Sequence, residues 1–232
     1  MKTKSLLFAL ATILMLGSCQ KDLGEFVTVT IPTASFDQLR HDASVDIVLS
    51  QGAGRLVEFE GYDLVLNELS FDVNNGKLTI RQHGLYGWSG KSTIYITVPD
   101  LSLIDLASSG DIYGDNRFKP KGSLEVRSRA SGDIDLYLDV PDLYTSVQGS
   151  GEIRLRGYAD HHEIELDGSG RLYAFGLQTY RTRITQFASG DAELNATNSL
   201  YVRLRGSGDI FFIGNPFVDH FITGSGRLIN AN

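Results

Sequence analysis

The chain of 232 residues has a single cysteine, Cys19, so no internal disulfide can brace it. It has one tryptophan, Trp88, and only five prolines. Basic residues are the minority: 21 lysines and arginines stand against 28 aspartates and glutamates, a net charge of −7, and they form no cluster. That balance argues against a nucleic-acid partner, which needs a concentrated positive footprint. The longest apolar run, Leu6 to Leu16 with only Thr12 interrupting it, is too short to cross a bilayer as a helix. No nucleophile elbow, phosphate-cradling glycine loop or Cys-x-x-Cys pair occurs. The five histidines show no metal-ligand spacing, and His161 and His162, being adjacent, face opposite sides of any strand they share. The expectation is a protein with no catalytic residues, no cofactor and no metal.

Glycine, in contrast, is plentiful at 25 residues, and much of it belongs to one returning phrase. Its Ser-Gly steps are Ser109-Gly110, Ser131-Gly132, Ser150-Gly151, Ser169-Gly170, Ser189-Gly190, Ser207-Gly208 and Ser225-Gly226. Successive serines lie 22, 19, 19, 20, 18 and 18 residues apart. A period near twenty is the mark of a solenoid in which each repeat is one coil. Before each serine stands a small residue: Ser108, Ala130, Gly149, Gly168, Ala188, Gly206 or Gly224. Three residues after it come Ile112, Ile134, Ile153, Leu172, Ala192, Ile210 and Leu228; five before it come Ile104, Val126, Thr145, Ile164, Ile184, Val202 and His220. Polar residues alternate with these columns on both sides, which is the period of a strand, so each repeat reads strand, corner, strand. Glycine at the corner is expected to turn the backbone through dihedrals that a Cβ forbids. One coil cannot bury its own apolar face, but coils stacked about 4.8 Å apart turn each column into a ladder. The fold class expected is all-β: a single-stranded parallel β-helix, or solenoid, of about seven coils of 18–22 residues over residues 107–232. A β-rich N-terminal part, residues 26–106, precedes it.

The first 18 residues read as a leader that is removed: Lys2 and Lys4, an apolar stretch, then Gly17 and Ser18. Leu16-Gly17-Ser18-Cys19 resembles the bacterial lipobox, which implies lipidation of Cys19 and a membrane partner through that lipid. Firm anchoring needs more than one acyl chain. Loss of Lys2 and Lys4 takes the net charge from −7 to −9. Residues 19–25 read as a tether. By resemblance to enterobacterial lipoproteins, Gln20 after the cysteine points to the outer membrane, on either its surface or its periplasmic face. Downstream, Phe26–Ile31 and Val45–Leu49 read as strands by alternation and β-branching, as does Thr93–Pro99, closed by its proline. Asp63–Leu69 holds one plausible helical turn, and Asn74-Asn75-Gly76 signals a hairpin.

Taken in order, Phe36-x-x-Leu39, Val45-Asp46-Ile47-Val48-Leu49, Gly76-Lys77-Leu78-Thr79-Ile80, Ile94-Tyr95-Ile96-Thr97-Val98-Pro99 and the Ser-Gly-Asp-Ile steps resemble the auto-transporter adhesin head GIN family. That family is a domain of unknown function frequent in Bacteroidetes lipoproteins. The resemblance covers residues 26–232 and implies a parallel β-solenoid with a β-rich N-terminal part. It carries over no catalytic residue. Locally the chain departs from the pattern: Ala192 replaces the larger apolar residue, and Arg171 and Arg227 replace the acid after the corner.

The column after Ser-Gly holds Asp111, Asp133, Glu152, Arg171, Asp191, Asp209 and Arg227. Stacked carboxylates suit calcium, but the nonapeptide spacing of calcium-binding rolls is absent and the arginines interrupt the column. A carboxylate pair for glycan hydrolysis would have to come from Glu163, Glu165, Asp167, Asp191 and Glu193, yet Glu163 falls beside Arg183 on the next coil. The stronger candidates for binding are outward aromatics: Tyr137, Tyr173, Phe175 and Phe211, with Ile213 beside them, and Tyr86 and Trp88 in a glycine-flanked loop. Three roles remain: an envelope binding protein or adhesin recognising glycan or protein, a self-associating envelope scaffold, and a polysaccharide-active enzyme. Oligomers are expected in the second.

Overall fold

The computed structural model describes residues 24–84 and 91–232; the leader, Cys19, most of the tether and the Tyr86 and Trp88 loop lie outside the described residues. The elements run β1 (Phe26–Thr30), β2 (Gln38–Asp42), β3 (Asp46–Gln51), β4 (Leu56–Tyr62), α1 (Asp63–Leu66), β5 (Leu69–Asn74), β6 (Lys77–Gln82), β7 (Thr93–Val98), β8 (Leu103–Leu106) and β9 (Ile112–Phe118). They continue as β10 (Leu124–Ser128), β11 (Ile134–Val147), β12 (Glu152–Leu166), β13 (Arg171–Gln186), β14 (Ala192–Leu204), β15 (Ile210–Ile213), β16 (Phe217–Ile222) and β17 (Leu228–Asn230). The helical turn and the hairpin fall where the sequence places them. Asn75 (φ 50°) and Gly76 (φ 76°) take consecutive left-handed conformations, the geometry of a two-residue turn between Asn74 and Lys77.

Each coil has one arm before its Ser-Gly corner and one after. The before-corner arms stack as β5, β6, β2, β8, β10, the second halves of β11 to β14, and β16. The after-corner arms stack as β1, β4, β7, β3, β9, the first halves of β11 to β14, β15 and β17. All these pairings are parallel except β1 with β4, β4 with β7, and β5 with β6. Parallel stacking therefore extends upstream of residue 107, and stack order departs from chain order. The coil made by β2 and β3 lies between that of β6 and β7 and that of β8 and β9.

This upstream coil contains an eighth corner, Ala43-Ser44-Val45-Asp46-Ile47, in which valine stands where the others have glycine. The reason lies in what stacks on it. At Gly132, Gly151, Gly170, Gly190, Gly208 and Gly226 a Cβ would come closer than 3.0 Å to the carbonyl oxygen of the corner glycine one coil earlier. Next to Val45 on the outer side, β6 and β7 are joined by ten residues instead of a tight corner. The structure also corrects the expected reason for the glycines. Positive φ among the described glycines is confined to Gly24, Gly76, Gly157 and Gly214, so the corner glycines are required by close backbone approach, not by their dihedrals.

Alternation breaks a second time in the coils of β11, β12 and β13, where two successive residues face outward. Pro141 and Asp142 do so between buried Val140 and Leu143, as do Asp160 and His161 between Ala159 and His162, and Tyr180 and Arg181 between Thr179 and Thr182. Between the corner and this bend run the apolar ladders, with Ile112, Ile134, Ile153, Leu172, Ala192 and Ile210 all buried. Each fully buried Leu or Ile contributes roughly 1.5–3 kcal/mol relative to exposure.

A few polar groups share the interior. His41 Nε2 lies 2.6 Å from the Val45 carbonyl oxygen, and Gln186, in the same column of a later coil, donates from Nε2 to the Gly190 carbonyl at 2.6 Å. The two side chains thus tie down the same corner carbonyl in different coils. His162 meets the Thr145 hydroxyl at 2.8 Å. Burial pushes the His41 imidazole down to about 4 and the His162 imidazole down to about 3. Asp105, outward but covered, is held between Arg40 (3.3 Å) and Arg129 (2.5 Å) from the coils on either side.

Candidate functional site

The outer surface of the after-corner arm starts at the corner itself. Asp46 accepts the backbone N–H of Asp111 (2.9 Å), Asp111 that of Asp133 (2.8 Å), and Asp133 that of Glu152 (2.8 Å). Asp191 accepts from Asp209 (2.8 Å), and Asp209 from Arg227 (2.9 Å). The acidic column therefore links coil to coil through charge-assisted hydrogen bonds. Hydrogen bonding to Arg227 lowers the Asp209 carboxyl below the usual range. Among the described residues no group of three or more His, Cys, Asp or Glu is placed to hold a metal ion. The serines face solvent at all eight corners.

Two residues further along runs the column Val48, Tyr113, Asp135, Arg154, Tyr173, Glu193, Phe211. Tyr173 sits between a cation and an anion, with the Arg154 guanidinium 5.2 Å from its ring centroid and Glu193 beside it on the next coil. Phe211 follows beyond Glu193. Two shallow hollows share Tyr173 and Glu193. One, of about 210 Å³, is completed by Arg171, Leu172, Asp191 and Phe211. The other, of about 300 Å³, is completed chiefly by Asp135, Arg154, Arg156 and Phe175. Partial burial between the rings raises the Glu193 carboxyl above its ordinary range. The result is a strip of half-buried aromatic rings flanked by guanidinium groups and by the carboxylates of Asp135, Asp191 and Glu193, with Arg154 paired to Glu152 and Arg156 to Asp135, an arrangement suited to a ligand with flat apolar faces and hydroxyl edges.

Of the aromatics read from the sequence, the structure brings together Tyr173, Phe175 and Phe211. Tyr137 lies elsewhere on this face, 41% exposed, under the Arg117 guanidinium at 5.0 Å. Ile213 is half-buried beside Asn195. Tyr86 and Trp88 lie outside the described residues. The N-terminal strands stack on the end of the solenoid and leave this strip uncovered. Reading the aromatics alone missed Arg154, Arg156 and Arg171; cross-coil registration on the serine was the signal that would have placed them beside Tyr173.

The carboxylates considered for hydrolysis do not converge. Glu163 and Glu165 face outward on the before-corner arm, Asp167 is at the corner, and Asp191 and Glu193 are on the other arm. Glu163 is paired in register with Arg183, and Glu165 accepts the Tyr144 hydroxyl at 3.0 Å. A hollow of about 350 Å³ on that arm is lined by Glu125, Arg127, Arg129, Tyr144 and Glu165 among others, but these groups already satisfy one another. Arg127 holds Glu125, Arg129 holds Asp105, and Tyr144 holds Glu165.

No curated protein matches the chain. Solved structures do. A "putative adhesin" from Bacteroides fragilis is 22% identical with a TM-score of 0.83, covering 89% of this chain and 97% of that one. A "putative lipid binding protein" from Parabacteroides distasonis is 21% identical with a TM-score of 0.72, covering 90% and 98%. A "putative adhesin" from Parabacteroides merdae is 20% identical with a TM-score of 0.65, covering 90% and 97%. At these identities the likeness establishes the β-solenoid fold. The family model described as "putative auto-transporter adhesin, head GIN domain" matches residues 35–216, most of the chain, and the protein belongs to that family.

Proposed function

We propose that the protein is a lipid-anchored binding protein of the cell envelope, an adhesin that presents the after-corner face of its solenoid to a glycan or to a surface protein. The observation that carries this reading is the strip of Tyr173, Phe175 and Phe211 with Arg154, Arg171 and Glu193, left open to solvent on a rigid face. Flat rings stack on sugar or apolar faces, and the interspersed guanidinium and carboxylate groups fix the orientation of hydroxyls. The scattering of the candidate carboxylates, and a family description that speaks of adhesion, favour binding over catalysis. Lipidation of Cys19 anchors the chain at the outer membrane through the tether at residues 19–25.

Replacing Tyr173 and Phe175 together by serine tests the reading. Both rings are partly exposed, so the double variant keeps the melting temperature of the parent within a few degrees. Binding on a glycan array or to cells falls at least tenfold. Unchanged binding by the folded variant removes this strip as the binding site.

A further inference from the structure

Most arginines of the molecule are matched to a carboxylate, as Arg40 is to Asp105, Arg127 to Glu125 and Arg156 to Asp135. Four are matched to aromatic residues instead, and all four lie together on the outer surface of the β13 and β14 coils. The Arg183 guanidinium is 4.6 Å from the Tyr201 ring centroid, and Arg203 donates from Nη2 to the Tyr201 hydroxyl at 3.3 Å. Arg205 is 5.6 Å from the Phe187 ring centroid, and Arg181, at the bend, is 5.6 Å from that of Tyr180. Among the described residues none of the four forms an ion pair, and all four are exposed. In the chain they are two short pairs. Register sets Arg183 beside Tyr201 and Thr185 beside Arg203, which brings the pairs onto adjoining layers about 4.8 Å apart. Between bend and corner these two coils carry no carboxylate. Carboxylates flank them, with Glu163 in register with Arg183 on one side and Asp219 with Tyr201 on the other.

We propose that this surface binds an anionic polysaccharide through sulfate or phosphate monoesters on its sugars. A guanidinium held against an aromatic side chain is already ordered and keeps N–H donors free, so it loses little rotamer freedom on meeting an oxyanion. These four also have no carboxylate to release first. Arg183 and Arg203 converge on one tyrosine, so an ester group with three terminal oxygens can meet both at once. A carboxylate, with two oxygens, is filled by either one alone. Tyr180 and Phe187, 44% and 40% exposed, stand at the two ends of the β13 row and offer flat faces to sugar rings. The flanking carboxylates repel an anionic chain from the coils on either side. It therefore lies along the strands from bend to corner, over about 20 Å between residues 181 and 187. An anionic bilayer fits less well, because its charges would also cover the coil that carries Glu163 and Glu165. The surface lies on the before-corner arm and does not depend on the Tyr173 strip.

The test is binding of the full-length chain in detergent to immobilised dextran sulfate, carboxymethyl-dextran and neutral dextran. The parent binds dextran sulfate, less tightly as salt is added. It binds carboxymethyl-dextran roughly tenfold more weakly and neutral dextran not at all. The Arg183→Gln/Arg203→Gln/Arg205→Gln variant, with its melting curve unchanged, loses roughly tenfold or more in affinity for dextran sulfate. The Arg55→Gln/Arg81→Gln/Lys121→Gln variant removes the same charge at exposed positions elsewhere and binds as the parent does. No binding of dextran sulfate by the parent, equal loss in the two variants, or equal binding of the two charged dextrans overturns the proposal. So does arginine-dependent binding to phosphatidylglycerol vesicles without binding to dextran sulfate, which assigns the surface to a membrane. Should the triple variant not fold, Arg203→Lys decides: it keeps the charge but loses the planar fork, so dextran sulfate binding weakens, and unchanged binding overturns the assignment. The Tyr173/Phe175 serine variant keeps its binding to dextran sulfate; loss there places the polyanion on the other strip and overturns this surface.

Discussion

His41 shows how a single side chain serves the solenoid at neutral pH and weakens it in acid. Its ring bonds to the Val45 carbonyl from a fully buried position, and burial holds it down to about 4 from an ordinary 6.5. The unfolded chain therefore takes up a proton near 6.5 that the folded chain refuses until about 4. The stabilising contribution is complete above 6.5 and is lost as pH falls from 6.5 towards 4. A shift of this size corresponds to about 3 kcal/mol. Gln186 makes the equivalent bond in its own coil without a titratable ring. His41→Gln is accordingly expected to keep its stability at pH 7 within about 1 kcal/mol. Its loss of stability between pH 7 and pH 4, read from urea unfolding at a series of pH values, should be smaller than that of the parent by about 3 kcal/mol.

At the scale of the element, the corner is held by backbone packed on backbone. Neighbouring corners approach so closely that Gly151 has no room for a methyl group beside the Gly132 carbonyl, and the Asp133 carboxylate accepts the Glu152 N–H across the gap. Gly151→Ala is expected to cost about 1–3 kcal/mol, since the coils must separate to admit the new carbon. Gly122, beside which nothing lies within 4 Å, is the matched control, and Gly122→Ala should leave the thermal midpoint within a degree or two. Equal midpoints for the two variants would show that the corners do not set the coil spacing. The seven Ser-Gly steps were legible because the same packing demand recurs about every twenty residues. The eighth, at Ser44, was not. Its neighbour on one side is a long connection, so the demand for glycine disappears and Val45 hides the motif.

The whole molecule behaves as a stack in which each coil touches only its neighbours over most of its length. Stability in such an array is close to a sum of coil and interface contributions. Removing residues 152–170 joins Gly151 to Arg171 and brings Ile134 beside Leu172, both of which already occupy one column with Ile153. That shortened chain is expected to fold with the circular dichroism of the parent and a radius of gyration reduced by the loss of one layer of about 4.8 Å. A deletion of ten residues from the same place reverses the relation between corner and arm and should unfold. If both deletions fold equally well, the columns do not determine the register.

Alternation, the small-residue corner and a spacing near twenty were sufficient for the sequence to determine a parallel β-solenoid, because each is a local consequence of stacking equivalent residues. The outward position of Tyr173, Phe175 and Phe211 followed from the same period. The position of the β2 and β3 coil between two later coils, and the guanidinium and carboxylate partners of the aromatic strip, depend on contacts between residues far apart in the chain. Only the tertiary structure decided those, since a strand's own sequence records which side is buried but not which strand lies next to it.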